Sequence, residues 1–190
     1  MDYNFYIKDV LRIDESLRKE LEELAQNTTL DPKTSYFKPG RHPGMHSGGF
    51  MFTNASKPIL RLRDVMGEIF PVETSINYLV NKLEPGGLIR EHSDATGGPQ
   101  SRGWCINTQH LIHISITGNA SYFFRRSLEL DPIELKMKNG LVYPLNNYVY
   151  HYVTNPGNVD RFNIIFYYND PQWEIKKALY KRFNIISNDY

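Results

Sequence analysis

The chain has 190 residues, a formal net charge of +1, 41% hydrophobic and 13% aromatic residues, and one cysteine, Cys105. That balance suits one globular domain with a sizeable core and excludes a disordered chain, and the near-neutral charge removes the electrostatic case for nucleic acid or an acidic membrane surface. The lone cysteine excludes an internal disulfide and a multi-cysteine metal site, no apolar run reaches transmembrane length, and the polar start Met1-Asp2-Tyr3-Asn4 carries no signal-peptide pattern, so a soluble cytoplasmic protein is expected.

In chain order, bulky apolar residues over 3–12 predict a short strand. Asp14 reads as the N-cap of a helix with Leu17, Leu21 and Leu24 on one face. Residues 27–57 read as a long loop, because Asn, Thr, Pro, Gly and Ser recur and no period persists. His42 and His46 lie in this loop, four apart, but Pro43-Gly44 argues against the helix that a joint metal site needs. Pro58 opens a second helix, Ile59 to Phe70, which Pro71 closes. From residue 74 the texture changes to short strands: 76–83, 106–117, 121–125, 132–136, 141–145, 148–153 and 161–168. Lys138-Asn139-Gly140 carries the Asn-Gly signal of a hairpin. A C-terminal helix is expected over 172–183. Helices at the ends and about eight strands between them predict a mainly β fold with flanking helices, a double-stranded β-helix (jelly roll, cupin-like). Its expected parts are a helical region 1–72, a jelly-roll core 73–170 and a C-terminal helix 171–190.

The chemistry centres on Leu83-Glu84-Pro85-Gly86-Gly87-Leu88-Ile89-Arg90-Glu91-His92-Ser93-Asp94. In a strand, residues i and i+2 face the same way, so His92 and Asp94 can aim an imidazole and a carboxylate at one ion. A third ligand, His151, would complete a 2-His-1-carboxylate set with open coordination positions, which suits non-haem Fe(II). Arg161 follows ten residues later, beyond a turn. If the two strands pair across that turn, its guanidinium lies one or two layers deeper than His151 and can grip a carboxylate. The competing readings are a surface His–Asp ion pair, a packed core His151 and a structural Arg161.

The ordered combination resembles the Fe(II)/2-oxoglutarate-dependent oxygenases, and within them the aspartyl/asparaginyl β-hydroxylase family. Leu83-x-Pro85-Gly86-Gly87-x-Ile89-x-x-His92-x-Asp94 is similar to the proximal motif. Asn146-Asn147-x-x-x-His151-x-x-x-Asn155 with Arg161 is similar to the distal one. His113-Ile114-Ser115-Ile116-Thr117-Gly118-Asn119 resembles the strand whose histidine helps hold the cosubstrate. These pieces span residues 76–168, about half the chain.

The resemblance implies that His92, Asp94 and His151 ligate Fe(II). It implies that Arg161 binds the distal carboxylate of 2-oxoglutarate, with Asn81 assisting and His113 at the C1 end. Leu111 stands where the family commonly has an arginine. The implied activity is O₂-dependent hydroxylation of an aspartyl or asparaginyl side chain, or of a related amino-acid, peptide or protein substrate. The loop with Arg102 and Trp104 is the expected substrate contact. A nucleic-acid demethylase of the same superfamily is disfavoured by the charge and by Tyr167, where that group carries a second arginine. The remaining alternative is a cupin-like metal-binding module without 2-oxoglutarate turnover.

Overall fold

The structure, a computed structural model, describes residues 11–30, 38–39, 43–50, 56–67, 77–93, 109–145, 149–169 and 181. Its strands are β1 (Leu11–Arg12), β2 (Lys38–Pro39), β3 (Met45–Phe50), β4 (Asn77–Leu83), β5 (Leu88–His92), β6 (Gln109–Thr117), β7 (Ala120–Arg125), β8 (Ile133–Met137), β9 (Leu141–Leu145), β10 (Tyr150–Thr154) and β11 (Arg161–Asn169). A seven-stranded sheet runs β1-β9-β6-β11-β4-β3-β2, and a four-stranded sheet runs β5-β10-β7-β8. From β4 onward the chain visits the large sheet, small, large, small, small, large, small, large. That alternation of antiparallel strands between two facing sheets is the jelly roll expected from the sequence.

Two helices, α1 (Glu15–Leu30) and α2 (Lys57–Gly67), cover the outer face of the large sheet. α1 begins where Asp14 Oδ1 accepts the backbone N–H of Leu17 at 2.7 Å, which satisfies one of the unpaired donors of the first turn. Leu17, Leu21 and Ala25 recur every fourth residue, and with Ile59, Leu62 and Met66 of α2 they bury against Ile112, Ile114, Ile116, Phe162, Ile164 and Phe166 of the sheet. Each of the Leu, Ile, Met and Phe side chains stabilises the fold by about 1.5–3 kcal/mol through removal from water. Arg61 of α2 pairs with Glu20 of α1, and Arg18 donates to the carbonyl of Ile116 at 3.0 Å, so polar links also fix the helices to each other and to the sheet.

The space between the sheets holds a second apolar cluster that includes Leu83, Ile89, Phe124, Leu135, Tyr143 and Val153. Three expectations are corrected. Residues 27–57 are not one loop: α1 runs to Leu30, and β3 pairs with β4 from Met45↔Leu83 to Phe50↔Tyr78. Met45-His46-Ser47-Gly48-Gly49-Phe50 has little intrinsic strand preference, and the ladder supplied by β4 overrides it. The Asn139-Gly140 turn forms, with Gly140 at φ 77°, but it passes from β8 in one sheet to β9 in the other and closes no hairpin. β10 and β11 likewise do not pair across their turn: β10 lies between β5 and β7, and β11 between β4 and β6. In each of these last two cases local turn chemistry specifies the reversal and not the partner. The helix expected over 172–183 falls, apart from residue 181, outside the described residues, as does most of the strand expected over 3–12.

Candidate active site

His92 ends β5 and His151 is the second residue of β10, and the two are register partners. Their ring centroids are 4.3 Å apart. Simple alternation does not give this. Ile89 faces the inter-sheet core opposite Val153, and a residue three positions on would point outward. β5 has two residues, Arg90 and Glu91, between the pairs Ile89↔Val153 and His92↔His151, where β10 has only Tyr152. This β-bulge turns His92 back to the inner face. Each imidazole is then held from behind: Nδ1 of His92 donates to the carbonyl of Arg90 at 2.7 Å, and Nδ1 of His151 to the carbonyl of Val149 at 3.0 Å. A carbonyl only accepts, so Nδ1 carries a proton in both rings, which is the backbone-oriented arrangement that leaves Nε2 as the metal-facing atom of a ligating histidine. Phe124, the other register partner of His151, stacks beside its ring with centroids 6.2 Å apart.

Two turns fix the spacing of these strands. Asn155, fully enclosed after β10, donates through Nδ2 to the carbonyls of Leu83 (2.9 Å) and Val159 (2.8 Å) and accepts from Gly157 N–H at 3.1 Å. Its backbone pairs with Gly86 and Gly87. The turn after His151 is thereby stapled to the Pro85-Gly86-Gly87 turn that precedes His92. A Cβ on Gly87 would lie 2.8 Å from the carbonyl oxygen of Glu84, so the turn admits no side chain there.

Opposite the histidines, the inner face of the large sheet is polar. Arg161 starts β11 with 0% exposure. Its Nη2 donates to the Tyr122 hydroxyl at 3.0 Å, and its guanidinium carbon lies 5.1 Å from the centre of that ring. Nε and Nη1 are buried and make no hydrogen bond among the described residues. Gly118 permits this placement: it has φ 76°, and a Cβ there would come within 2.8 Å of the Arg161 Cα. Tyr122 also bonds Nδ1 of His113 at 3.0 Å, and Asn163 Nδ2 approaches the same nitrogen at 3.2 Å. With two donors converging on Nδ1, the ring carries its proton on Nε2, which is buried and without a partner among the described residues. Burial first, then the Arg161 charge and His151, push the His113 pKa well below its ordinary value, so the ring is neutral. Asn81 and Asn163 are register partners on β4 and β11, both buried, each with an amide oxygen that has no partner among the described residues.

The structure therefore brings together His92 with His151, and Arg161 with His113 and Asn81, on facing sheets of one sandwich. Asp94, Arg102 and Trp104 lie outside the described residues. Sequence reasoning missed Tyr122 and Asn163. Asn163 had a signal: it is the polar residue two positions after Arg161 in an otherwise apolar strand, hence on the same face. Tyr122 had none, because its role depends on the facing sheet.

No protein-family model matches the sequence, and no curated protein matches it. Solved structures do match. A Pseudomonas putida prolyl-4-hydroxylase has a TM-score of 0.58 at 12% identity, covering 87% of this chain and 92% of that one. The fold is that of the Fe(II)/2-oxoglutarate oxygenases. The viral collagen prolyl hydroxylase from Paramecium bursaria Chlorella virus-1, solved as a 2-oxoglutarate complex, aligns with a TM-score of 0.59 at 12% identity over 87% of this chain and 96% of its own. HygX from Streptomyces hygroscopicus, solved with nickel and 2-oxoglutarate bound, gives 0.60 at 9% identity over 88% and 83%.

Proposed function

We propose that the chain is a non-haem Fe(II)- and 2-oxoglutarate-dependent dioxygenase that hydroxylates an aspartyl or asparaginyl side chain, or a related amino-acid substrate, free or within a peptide or protein. The carrying observation is Arg161, a fully buried cation with two donor atoms unsatisfied and no carboxylate bonded to it among the described residues. An uncompensated buried charge of this kind costs several kcal/mol. An anionic ligand offsets that cost, and a carboxylate matches the planar guanidinium.

The residues present fit both implied groups. His92 and His151 offer Nε2 atoms on anchored rings, and Asp94, two residues after His92, is the proposed third ligand to Fe(II). Arg161 binds the carboxylate of 2-oxoglutarate remote from the metal. The His113 Nε2–H is one more donor near the Arg161 end, since Tyr122 joins the two side chains. Asn81 completes the polar wall. When bound, Fe(II), 2-oxoglutarate and O₂ together convert an unactivated C–H bond to C–OH, with the cosubstrate leaving as succinate and CO₂.

The protein's own tasks are to hold ligands and cosubstrate, to exclude water and to present the substrate. Phe124, Val153 and Ile89 line the histidine side with apolar surface. The aspartyl/asparaginyl assignment is supported by the proximal and distal sequence pieces, and hydroxylation of a peptide side chain also by the prolyl hydroxylases of like fold. The test is succinate release across panels of amino acids and peptides, with products checked for one added oxygen. Anaerobic Fe(II) and 2-oxoglutarate should give a weak visible charge-transfer band. A protein that shows no such band and releases no succinate is not this enzyme.

A further inference from the structure

The bulge that turns His92 inward leaves Arg90 and Glu91 as the two β5 residues opposite one β10 residue. Bulged residues lose part of the ladder, so an aimed side chain beyond a bulge depends on what else holds the segment. Here the hold comes from the far side of the sheet. Glu91 points to the outer face, where both its carboxylate oxygens bond Arg125, Nε to Oε1 at 2.6 Å and Nη2 to Oε2. Arg125 is on β7, which does not adjoin β5; β10 lies between them. The ion pair thus spans β10 at the level where Tyr150 pairs with Arg125 and His151 with His92.

Both side chains are about three-quarters covered, at 22% and 24% exposure. Neighbouring outer-face positions carry the stacked pair Phe123–Tyr152, with centroids 4.5 Å apart and planes 6° apart. The third nitrogen of Arg125 donates to the carbonyl of Leu128 at 2.8 Å, so the guanidinium is fixed at all three nitrogens. An isolated surface pair contributes little to stability. A bidentate pair locked at a third point adds geometric definition more than energy. The residues it defines are the bulge and its neighbour: the Arg90 carbonyl that receives the His92 ring, Glu91 itself, and His92.

We propose that Glu91 and Arg125 are positioning residues for the metal centre: their ion pair across β10 holds the bulge in the one geometry that aims His92 at the ion beside His151. The inference rests on the metal reading above and goes beyond it, because neither residue touches the ion. Outer partners of metal ligands characteristically govern affinity by 10- to 100-fold without being ligands.

The experiment titrates Co(II), as a visible probe, into the metal-free full chain and compares wild type with Glu91→Gln, Arg125→Met and the exchange variant Glu91→Arg/Arg125→Glu. Thermal melting of each metal-free protein is measured alongside. The expected result is a loss of Co(II) affinity of about tenfold in each single variant, recovery of most of it in the exchange variant, and metal-free melting temperatures that stay close to wild type. Glu91→Gln and Arg125→Met proteins that fold and bind Co(II) as tightly as wild type would overturn the inference. So would a loss of affinity that simply tracks a loss of metal-free stability and is not recovered by the exchange. A wild-type chain that binds no Co(II) defeats the metal reading itself, and the positioning role with it; binding by wild type that is undiminished in the variants removes only the positioning role.

Discussion

The two faces of the large sheet are made by alternate residues of the same strands, yet they are opposite in chemistry. On β6, Ile112, Ile114 and Ile116 face the helices, while His113 and Ser115 face the small sheet. On β11, Phe162, Ile164 and Phe166 face the helices, while Arg161 and Asn163 face inward. Burial does not distinguish them, since Arg161, Asn163, Ser115 and Ile114 are all at 0% exposure. Satisfaction does. The helix side hides mainly apolar surface, with Ser56 Oγ its one buried polar atom lacking a partner among the described residues, whereas the inner side keeps five such atoms, on Asn81, His113, Arg161 and Asn163. Such groups cost stability and persist where a ligand completes them. On the proposed reading, the inner face serves a ligand as well as the core between the sheets.

The largest effects should separate the two faces. Phe166→Ala removes a fully buried ring from the helix side and should destabilise the protein by about 3–5 kcal/mol, read by urea denaturation, while the folded fraction keeps its 2-oxoglutarate affinity. Arg161→Leu should do the reverse. Loss of a charge-assisted carboxylate contact should weaken 2-oxoglutarate binding by about 100-fold or more, measured by calorimetry on the Co(II) form. The metal-free protein should be as stable as wild type or more so, because the removed cation has no counter-ion among the described residues to leave stranded. If Arg161→Leu unfolds the chain and spares binding, the assignment of the inner face is wrong.

A smaller effect tests the join between the sheets. Asn155→Ala strips partners from the carbonyls of Leu83 and Val159 and from the Gly157 N–H. Leaving such buried groups unpaired costs about 1–3 kcal/mol. Because this residue ties the turn after His151 to the turn before His92, the variant should also weaken Co(II) binding. Unchanged metal affinity with the full stability loss would make the staple purely architectural.

These contrasts show what was legible in the chain. Alternation is a local property, so the two periodic residue sets of β6 and β11, the Asp14 cap and the α1 stripe could all be read directly. Arg161 and His151 stood out as candidates because each sits in a local pattern. Which strands adjoin was not local: the turn at 155–158 reads as a hairpin and is a crossover between sheets. The register shift that aims His92 was hidden for the same reason, since a bulge is defined by the partner strand and nothing in Ile89-Arg90-Glu91-His92 announces it. Tyr122 illustrates the limit most sharply. It is an aromatic in a strand of aromatics, and only the facing sheet makes its hydroxyl the link between Arg161 and His113.

The smallest effect concerns that link. His113 is buried, beside a cation, and its pKa is pushed well below the ordinary 6.5. In the folded protein it stays neutral as pH falls through 6.5, whereas in the unfolded chain it takes up a proton there. The unfolded state then binds more protons than the native state, so acid favours unfolding: stability present above pH 6.5 is lost as pH falls below it, until the depressed native pKa is reached. The limiting slope is about 1.4 kcal/mol per pH unit. Replacing His113 by glutamine removes this one linkage and leaves the carboxylates and other histidines in place. Urea denaturation of metal-free wild type and His113→Gln at pH 7.5, 6.5 and 5.5 should therefore give stabilities whose difference shifts by about 1 kcal/mol between pH 6.5 and 5.5 in favour of the variant. Parallel curves would mean that the unfolded and folded chains protonate position 113 alike. The ring would then be reachable by water, and the polar half of the inner face would be hydrated space where a dry anion pocket is required.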